Sequence, residues 1–246
     1  MELQDKVVLI TGSSTGIGKE TALALAKAGA RVVVTYHATQ QEGEEVQKEC
    51  EKYSPALLIH LNVMDTKSIQ ESVDVVIAQF GRIDILINNA GCFVYKSLEK
   101  QTTEEIERQL QVNLGGTILM TSACLSYLKK QSDAVIINVA SVLSKQSIVQ
   151  GTVYCASKFG VRGFTQALAL ELPKNIRIYC VNPGLTATKM TGFQGIPASQ
   201  AADVILATAQ EQLGKKSGED VDVRDFVPKK RSVEIKHKND TFKQKR

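Results

Sequence analysis

The sequence has no tryptophan and only three histidines, and aromatic residues make up 5% of its 246 positions. A stacking platform for nucleic acid needs several exposed rings, so the composition argues against one. Three scattered histidines give a metal centre no donor set. The five cysteines, Cys50, Cys92, Cys124, Cys155 and Cys180, are odd in number and form no CxxC pair. That spacing excludes a zinc knuckle and a disulfide-stapled scaffold, and it fits a reducing cytoplasm. Cys155 and Cys92 are expected to pack as small apolar residues. No apolar run reaches the roughly 20 residues that cross a bilayer. The polar opening Met1–Lys6 runs straight into an apolar strand, a layout unlike a signal peptide. The expectation is a cytoplasmic chain with no membrane span.

Charge is placed unevenly. The formal net charge is +4, yet residues 229–246 hold eight Lys/Arg and two Asp/Glu, which leaves the remainder at −2. A basic tail of this kind can meet anionic surfaces or nucleic acid, but it lacks aromatic interleaving, and a solubilising extension is the plainer reading. The expected division is a folded body over residues 1–228 and a mobile tail over 229–246.

Within the body, short β-branched runs alternate with helical stretches. Strands are predicted at Val7–Ile10, Arg31–Thr35, Ala56–Leu61, Ile83–Ile87, Asp133–Val139 and Ile176–Val181, and Asp220–Val227 is a candidate seventh, edge strand. Helices are predicted at Ile17–Ala28, Gln40–Lys52, Thr66–Gln79 with Gly81 as C-cap, Thr103–Lys130, Gly151–Leu172 and Ala198–Gln212. The strands are apolar throughout, which implies burial on both faces, as in a parallel sheet covered by helices. The fold class is α/β.

The first strand ends in Thr11-Gly12-Ser13-Ser14-Thr15-Gly16-Ile17-Gly18, and a helix follows. Small residues let the backbone turn sharply and approach a pyrophosphate, while the helix N-terminus offers free N–H groups to that anion. Gly12, Ser14, Thr15, Gly16, Ile17 and Gly18 are therefore candidate dinucleotide contacts. The carboxylate that holds the ribose 2′-hydroxyl of NAD stands at the end of the second strand in such domains. Here that place reads Thr35-Tyr36-His37, with no carboxylate until Glu42. The pattern leans to NADP over NAD, with Tyr36, His37, Thr35 and Thr15 as candidate partners of the adenosine end.

Tyr154 and Lys158 are four apart on a predicted helix, so they share a face. A phenol titrates near 10 in isolation, and a neighbouring ammonium favours its ionised form. So tuned, Tyr154 can give a proton to a carbonyl oxygen or take one back. Ser141, just past the fifth strand, can hydrogen-bond the same oxygen. A lone Y-x-x-x-K is common on helix surfaces. Its weight comes from the strand ending in Ser141 and the glycine loop at the start of the chain.

These pieces together resemble the short-chain dehydrogenase/reductase family, close to its carbonyl and 3-ketoacyl reductase branch. They are Thr11–Gly18, Asn88-Asn89-Ala90-Gly91, Asn113, Ser141, Tyr154-x-x-x-Lys158 and Val181-Asn182-Pro183-Gly184, in family order, and the resemblance covers roughly Leu3 to Ala209. It implies a single-domain, doubly wound Rossmann sheet of order 3-2-1-4-5-6 with an added strand 7. It implies hydride transfer between NADP(H) or NAD(H) and a carbonyl or secondary alcohol. Tyr154 would be the acid/base, Lys158 its partner and a holder of the nicotinamide ribose, and Ser141 the group that orients the carbonyl. Asn113 would support a water relay to Lys158. Asn89, Ala90 and Gly91 would pass the cofactor ribose, and Pro183, Gly184, Thr186 and Thr188 would border the nicotinamide. Asn62 and Val63 replace the usual adenine-binding Asp position. The family pairs its two long helices between subunits, so Thr103–Lys130 and Gly151–Leu172 are the expected contact of a homodimer or homotetramer. The passage Thr191–Pro197 is short for a lid. Val94, Leu143, Ile148, Leu185 and Met190 are the expected apolar lining for a small-molecule substrate. Two other functions stay open: a non-catalytic dinucleotide sensor on the same fold, and a nucleic-acid binder acting through the tail.

Overall fold

Six largely aliphatic runs and a short Asp-Val-Asp edge segment form one parallel sheet. The computed structural model describes residues 1–227, and the basic segment 229–246 lies outside the described residues. The strands are β1 (Val7–Ile10), β2 (Arg31–Tyr36), β3 (Ala56–His60), β4 (Ile85–Asn88), β5 (Ala134–Val139), β6 (Ile176–Asn182) and, past a small two-stranded ribbon, β9 (Asp220–Asp222). Their order is β3-β2-β1-β4-β5-β6-β9. This is the predicted 3-2-1-4-5-6 order with the seventh strand on the edge. The seventh strand is shorter than expected: after Asp222 the chain turns into a 3-10 segment over Val223–Asp225.

Helices cover both faces: α1 (Gly16–Lys27), α2 (Gln40–Cys50), α3 (Thr66–Phe80), α4 (Thr103–Leu110), α5 (Gly116–Leu128), α6 (Thr152–Glu171) and α7 (Ala198–Ala209). Gly81 ends α3 in the left-handed region at φ 74°, as its C-cap position requires. Successive residues of one strand serve opposite layers. Val8 and Ile10 join Leu25 of α1 and Ile205 of α7 in one cluster. Val7 and Leu9 join Val73 of α3 and Met120 of α5 in the other. Burial on both sides is why these strands carry no polar alternation.

One predicted helix is interrupted. The stretch Thr103–Lys130 is α4, then a π turn over Gln111–Gly115, then α5. A π turn inserts a residue into the helical ladder and re-aims the side chains beside it. Asn113 sits in it, fully buried. Beneath the rim of the sheet, Asn88 Nδ2 donates to Asn138 Oδ1 at 2.8 Å and to Thr121 Oγ1 at 2.9 Å, and Asn138 Nδ2 donates to Thr165 Oγ1 at 2.9 Å. This polar chain ties β4 and β5 to α5 and α6. Past β6, a ribbon of β7 (Thr186–Ala187) and β8 (Ile196–Pro197) closes the passage that the sequence marks as short. Among the described residues, no helix is long and apolar enough to cross a membrane.

Candidate active site

A cleft of about 510 Å³ runs along the C-terminal ends of β1, β2, β4, β5 and β6. Open α/β sheets bind ligands at this edge, where the strand order reverses beside β1.

The glycine loop forms one wall. Gly12 has φ 64°, and a Cβ on Gly18 would stand 2.3 Å from the Gly12 carbonyl oxygen and 2.5 Å from Asn89 Nδ2. No side chain larger than hydrogen fits at Gly18. Thr15, the N-cap of α1, makes no side-chain cap hydrogen bond. The uncapped N-terminus therefore faces the cleft with its donors and partial positive charge, the arrangement that suits a pyrophosphate. Asn89 staples this loop in place. Its Nδ2 donates to the carbonyls of Thr11 (3.0 Å) and Gly12 (2.9 Å), and its backbone N–H donates to Thr11 Oγ1 at 2.9 Å. The residues present fit a dinucleotide along this wall.

One expected partner of the adenosine end is spent elsewhere. Thr35 is buried, its hydroxyl accepts from Gly12 N at 2.9 Å and donates to the Ile10 carbonyl at 2.9 Å. It braces the loop and has no donor left for a phosphate. Tyr36 and His37 do line the cleft, backed by His60, whose ring lies 5.3 Å from that of Tyr36 and 5.9 Å from that of His37. Asn62 and Val63 line it as well. The Asn62 Oδ1 already accepts from Met64 N at 3.1 Å, so one lone pair remains for an incoming donor.

The opposite wall carries the chemistry. Ser141, Tyr154 and Lys158 share the cleft with the glycine loop. Lys158 Nζ donates to the Val139 carbonyl at 2.9 Å and stands over the Tyr154 ring, 5.8 Å from its centroid. Burial adds an effect here that the four-residue spacing does not show. Burial pushes the Tyr154 phenol up to about 12, and the Ser141 hydroxyl pulls in the other direction. Desolvation outweighs the pull of the ammonium, which lies over the ring. Burial also lowers Lys158, to about 8. Phe93 adds to the enclosure, its ring 4.5 Å from that of Tyr154.

Besides Thr35, Asn113 and Gly18 are the expected site residues that do not line the cleft. Asn113 acts from behind. Its Oδ1 accepts from Cys92 N at 2.8 Å, and its Nδ2 donates to the Cys92 carbonyl at 3.0 Å and to Ser157 Oγ at 3.0 Å. These bonds clamp the strand exit to α6 one residue before Lys158. A Cβ on Gly91 would lie 3.3 Å from Asn113 Oδ1 and 3.7 Å from Lys158 Nζ, so both groups converge on that glycine. The remaining expected residues, Ser14, Thr15, Gly16, Ile17, Ala90, Pro183, Gly184, Thr186 and Thr188, all line the cleft. Of the expected apolar lining, Met190 does so, whereas Val94, Leu143, Ile148 and Leu185 stand outside that wall. Cys155 is buried as expected, and Cys92 is half-buried at the cleft.

Sequence reasoning missed Val139, Arg108 and Lys189. The first acts through its backbone and leaves no side-chain signal. The other two line the cleft from α4 and from the 3-10 turn Lys189–Thr191, and Lys189 pairs with Glu42 of α2.

The match to known proteins decides the family. Residues 6–196 match the model of the short chain dehydrogenase family. This chain belongs to the short-chain dehydrogenase/reductase family. It is 39% identical over 196 residues to a 3-oxoacyl-[acyl-carrier-protein] reductase FabG of Thermotoga maritima, covering 78% of each chain. It is 34% identical over 195 residues to a 3-ketodihydrosphingosine reductase of Bacteroides thetaiotaomicron, covering 79% of this chain and 69% of that one. Among solved structures, a short chain dehydrogenase from Burkholderia cenocepacia in complex with NADP is 30% identical with a TM-score of 0.84, covering 90% of this chain and 97% of that one. The chain is thus an NAD(P)-dependent oxidoreductase of the short-chain dehydrogenase/reductase family.

Proposed function

We propose that this enzyme reduces a ketone, aldehyde or 3-oxoacyl carbonyl to the alcohol with NADPH, and that Tyr154 donates the proton. The observation that carries this reading is one cleft lined by the glycine loop along one side and by Ser141, Tyr154 and Lys158 along the other. A nicotinamide dinucleotide bound along the loop supplies the hydride to the carbonyl carbon. Ser141 Oγ orients the carbonyl oxygen and strengthens its hold as negative charge develops there. The Tyr154 hydroxyl gives that oxygen its proton, which completes a two-electron reduction. Burial keeps the phenol protonated at neutral pH. That state suits donation to a nascent alkoxide. Lys158, fixed on the Val139 carbonyl, holds a cation beside the phenol and stabilises the phenolate once the proton has left. Asn113 positions this pair through Cys92 and Ser157.

The cofactor preference rests on the end of β2, which presents Tyr36 and His37 to the cleft and no carboxylate of its own. The neighbouring structure that holds NADP supports the same choice. The 3-oxoacyl substrate class draws its support from the reductase relatives. Free, mostly buried cysteines suit a cytoplasmic location. Leu110, Ile118 and Phe159 are apolar and exposed on α4, α5 and α6. They support a homodimer or homotetramer through these helices, which sedimentation of the purified chain tests directly.

The functional test is a panel of 3-oxoacyl thioesters, quinones, steroids and small ketones, each assayed with NADPH and with NADH. Turnover with NADPH on at least one carbonyl class is expected. Tight NADPH binding with no turnover across the panel would return the chain to the role of a dinucleotide sensor.

A further inference from the structure

Lys189 and Glu42 meet across the cofactor cleft, and we infer that this ion pair selects between a ribose 2′-phosphate and a ribose 2′-hydroxyl. The inference rests on the NADP(H) reading above. Among the described residues that line the cleft, Glu42 is the one carboxylate. It sits in the first turn of α2, three residues past the lining run Tyr36, His37, Ala38 and Thr39. That run leads off the end of β2, where a dinucleotide fold discriminates the 2′-substituent, and Glu42 borders it. A free carboxylate there accepts from a 2′-hydroxyl and repels a 2′-phosphate.

Glu42 is not free. Its Oε1 is paired with Lys189 Nζ, which reaches over from a turn 147 residues away in the chain. The turn is anchored on both sides. Thr188 Cγ2 lies 3.2 Å from where a Cβ on Gly16 would stand, so the segment caps the glycine loop. Thr191 Oγ1 donates to the Thr186 carbonyl at 2.5 Å and accepts from Thr188 N at 3.2 Å. Lys189 therefore reaches from beside the glycine loop to the start of α2. Its side chain is 65% exposed and that of Glu42 30%. Exposed pairs are weak and readily exchanged, so the ammonium can be shared with an arriving phosphate. Lys189 thus cancels the one charge that would reject NADP(H) and offers a cation to the group that distinguishes it.

Binding decides the matter without recourse to turnover. The dissociation constants of NADPH and NADH are measured by nicotinamide fluorescence for the wild type, Lys189→Met, Glu42→Gln and the double variant. Lys189→Met is expected to weaken NADPH about fivefold to tenfold and to leave NADH within about twofold. Glu42→Gln is expected to tighten NADPH about threefold, with the double variant between the two singles. The NADPH effects should shrink in 0.5 M salt, as screening dictates. A ratio of NADPH to NADH affinity that stays within about twofold of wild type in both single variants, with unchanged melting temperatures, overturns the selecting role. A wild type that binds neither cofactor overturns the dinucleotide reading itself, and the pair falls with it. A wild type that prefers NADH removes only the NADP preference, and the variants' ratios still decide the pair.

Discussion

The two walls of the cleft are built on opposite principles. The wall on β1 and β2 works through backbone: a left-handed Gly12, a Gly18 with no room for a Cβ, and an uncapped helix N-terminus. Its side chains, Thr11, Thr35 and Asn89, face inward and brace the loop. The wall on β5 and α6 works through side chains, with Ser141, Tyr154 and Lys158 turned into the cleft and their supports, Asn113 and the Val139 carbonyl, behind them. An anion such as pyrophosphate is met by many N–H groups at once, which any small residue can present. A proton is moved by one group with one pKa, which only a particular side chain supplies. The first wall should tolerate loss of side chains and fail when atoms are added. The second should fail when a single oxygen or nitrogen is removed.

The largest effect is expected on the second wall. Tyr154→Phe removes one oxygen, and kcat should fall about a thousandfold, in the range that positioned acid–base groups contribute. NADPH affinity should stay within about twofold, since the deleted atom does not serve binding in the ground state. Stopped-flow turnover and fluorescence titration read the two separately, and an equal loss in both would erase the distinction between the walls. On the first wall, Gly18→Ala adds one carbon 2.3 Å from the Gly12 carbonyl. Overpacking of this kind costs about 1–3 kcal/mol, and the loop must shift to relieve it. NADPH affinity should drop by about tenfold or more, while kcat at saturating cofactor stays within a few-fold. A lowered kcat with unchanged affinity would count against a backbone-built wall. Asn113→Ala tests the support behind the second wall. It leaves the Cys92 backbone N–H and carbonyl without their Asn113 partners, at a cost of about 1–3 kcal/mol in urea unfolding. Asn113→Asp keeps an oxygen that accepts from Cys92 N and should recover part of kcat.

Legibility in the sequence follows the same division. The parallel sheet could be read because its central strands are apolar runs with few other places to go, and its order came with the family resemblance. Ser141, Tyr154 and Lys158 could be read because chemistry restricts the residue types allowed. The glycine loop could be read because added atoms are forbidden there. The π turn at Gln111–Gly115 was not legible, because Gln, Val, Asn, Leu and Gly in a row look like any helix. It accompanies the bonding of Asn113 to the Cys92 backbone, a contact 21 residues distant. The pairing of Glu42 with Lys189 and the loss of Thr35 as a phosphate donor depend equally on tertiary contacts. Burial of the phenol is an energy that the sequence does not show. The four-residue spacing to Lys158 is local, but the desolvation that outweighs it comes from the closed packing around α6.

The smallest predicted effect tests that desolvation directly. Burial lowers Lys158 from 10.5 to about 8, so the folded chain holds this proton less tightly than the unfolded chain does. Below about pH 8 the folded state must bury a charged ammonium, and that cost is relieved as pH rises from there towards 10.5. Between pH 7.5 and 9 the contribution amounts to a gain of about 1 kcal/mol in folding free energy. Other groups act oppositely in an overlapping range. Burial raises the thiols of Cys50, Cys124 and Cys180 to about 12, so ionisation of the unfolded chain erodes stability as pH climbs towards and past 9. Tyr154, raised from 10 to about 12, adds to that erosion above pH 10. The wild-type profile mixes these trends, and the difference between wild type and Lys158→Met isolates the lysine. Methionine keeps the apolar stem and removes the titrating group. Urea unfolding at pH 7.5 and pH 9 should show the variant's advantage over wild type narrowing by about 1 kcal/mol. A pH-independent difference would mean that the lysine reaches water or a compensating charge, and the side-chain wall would then be more open than its packing implies.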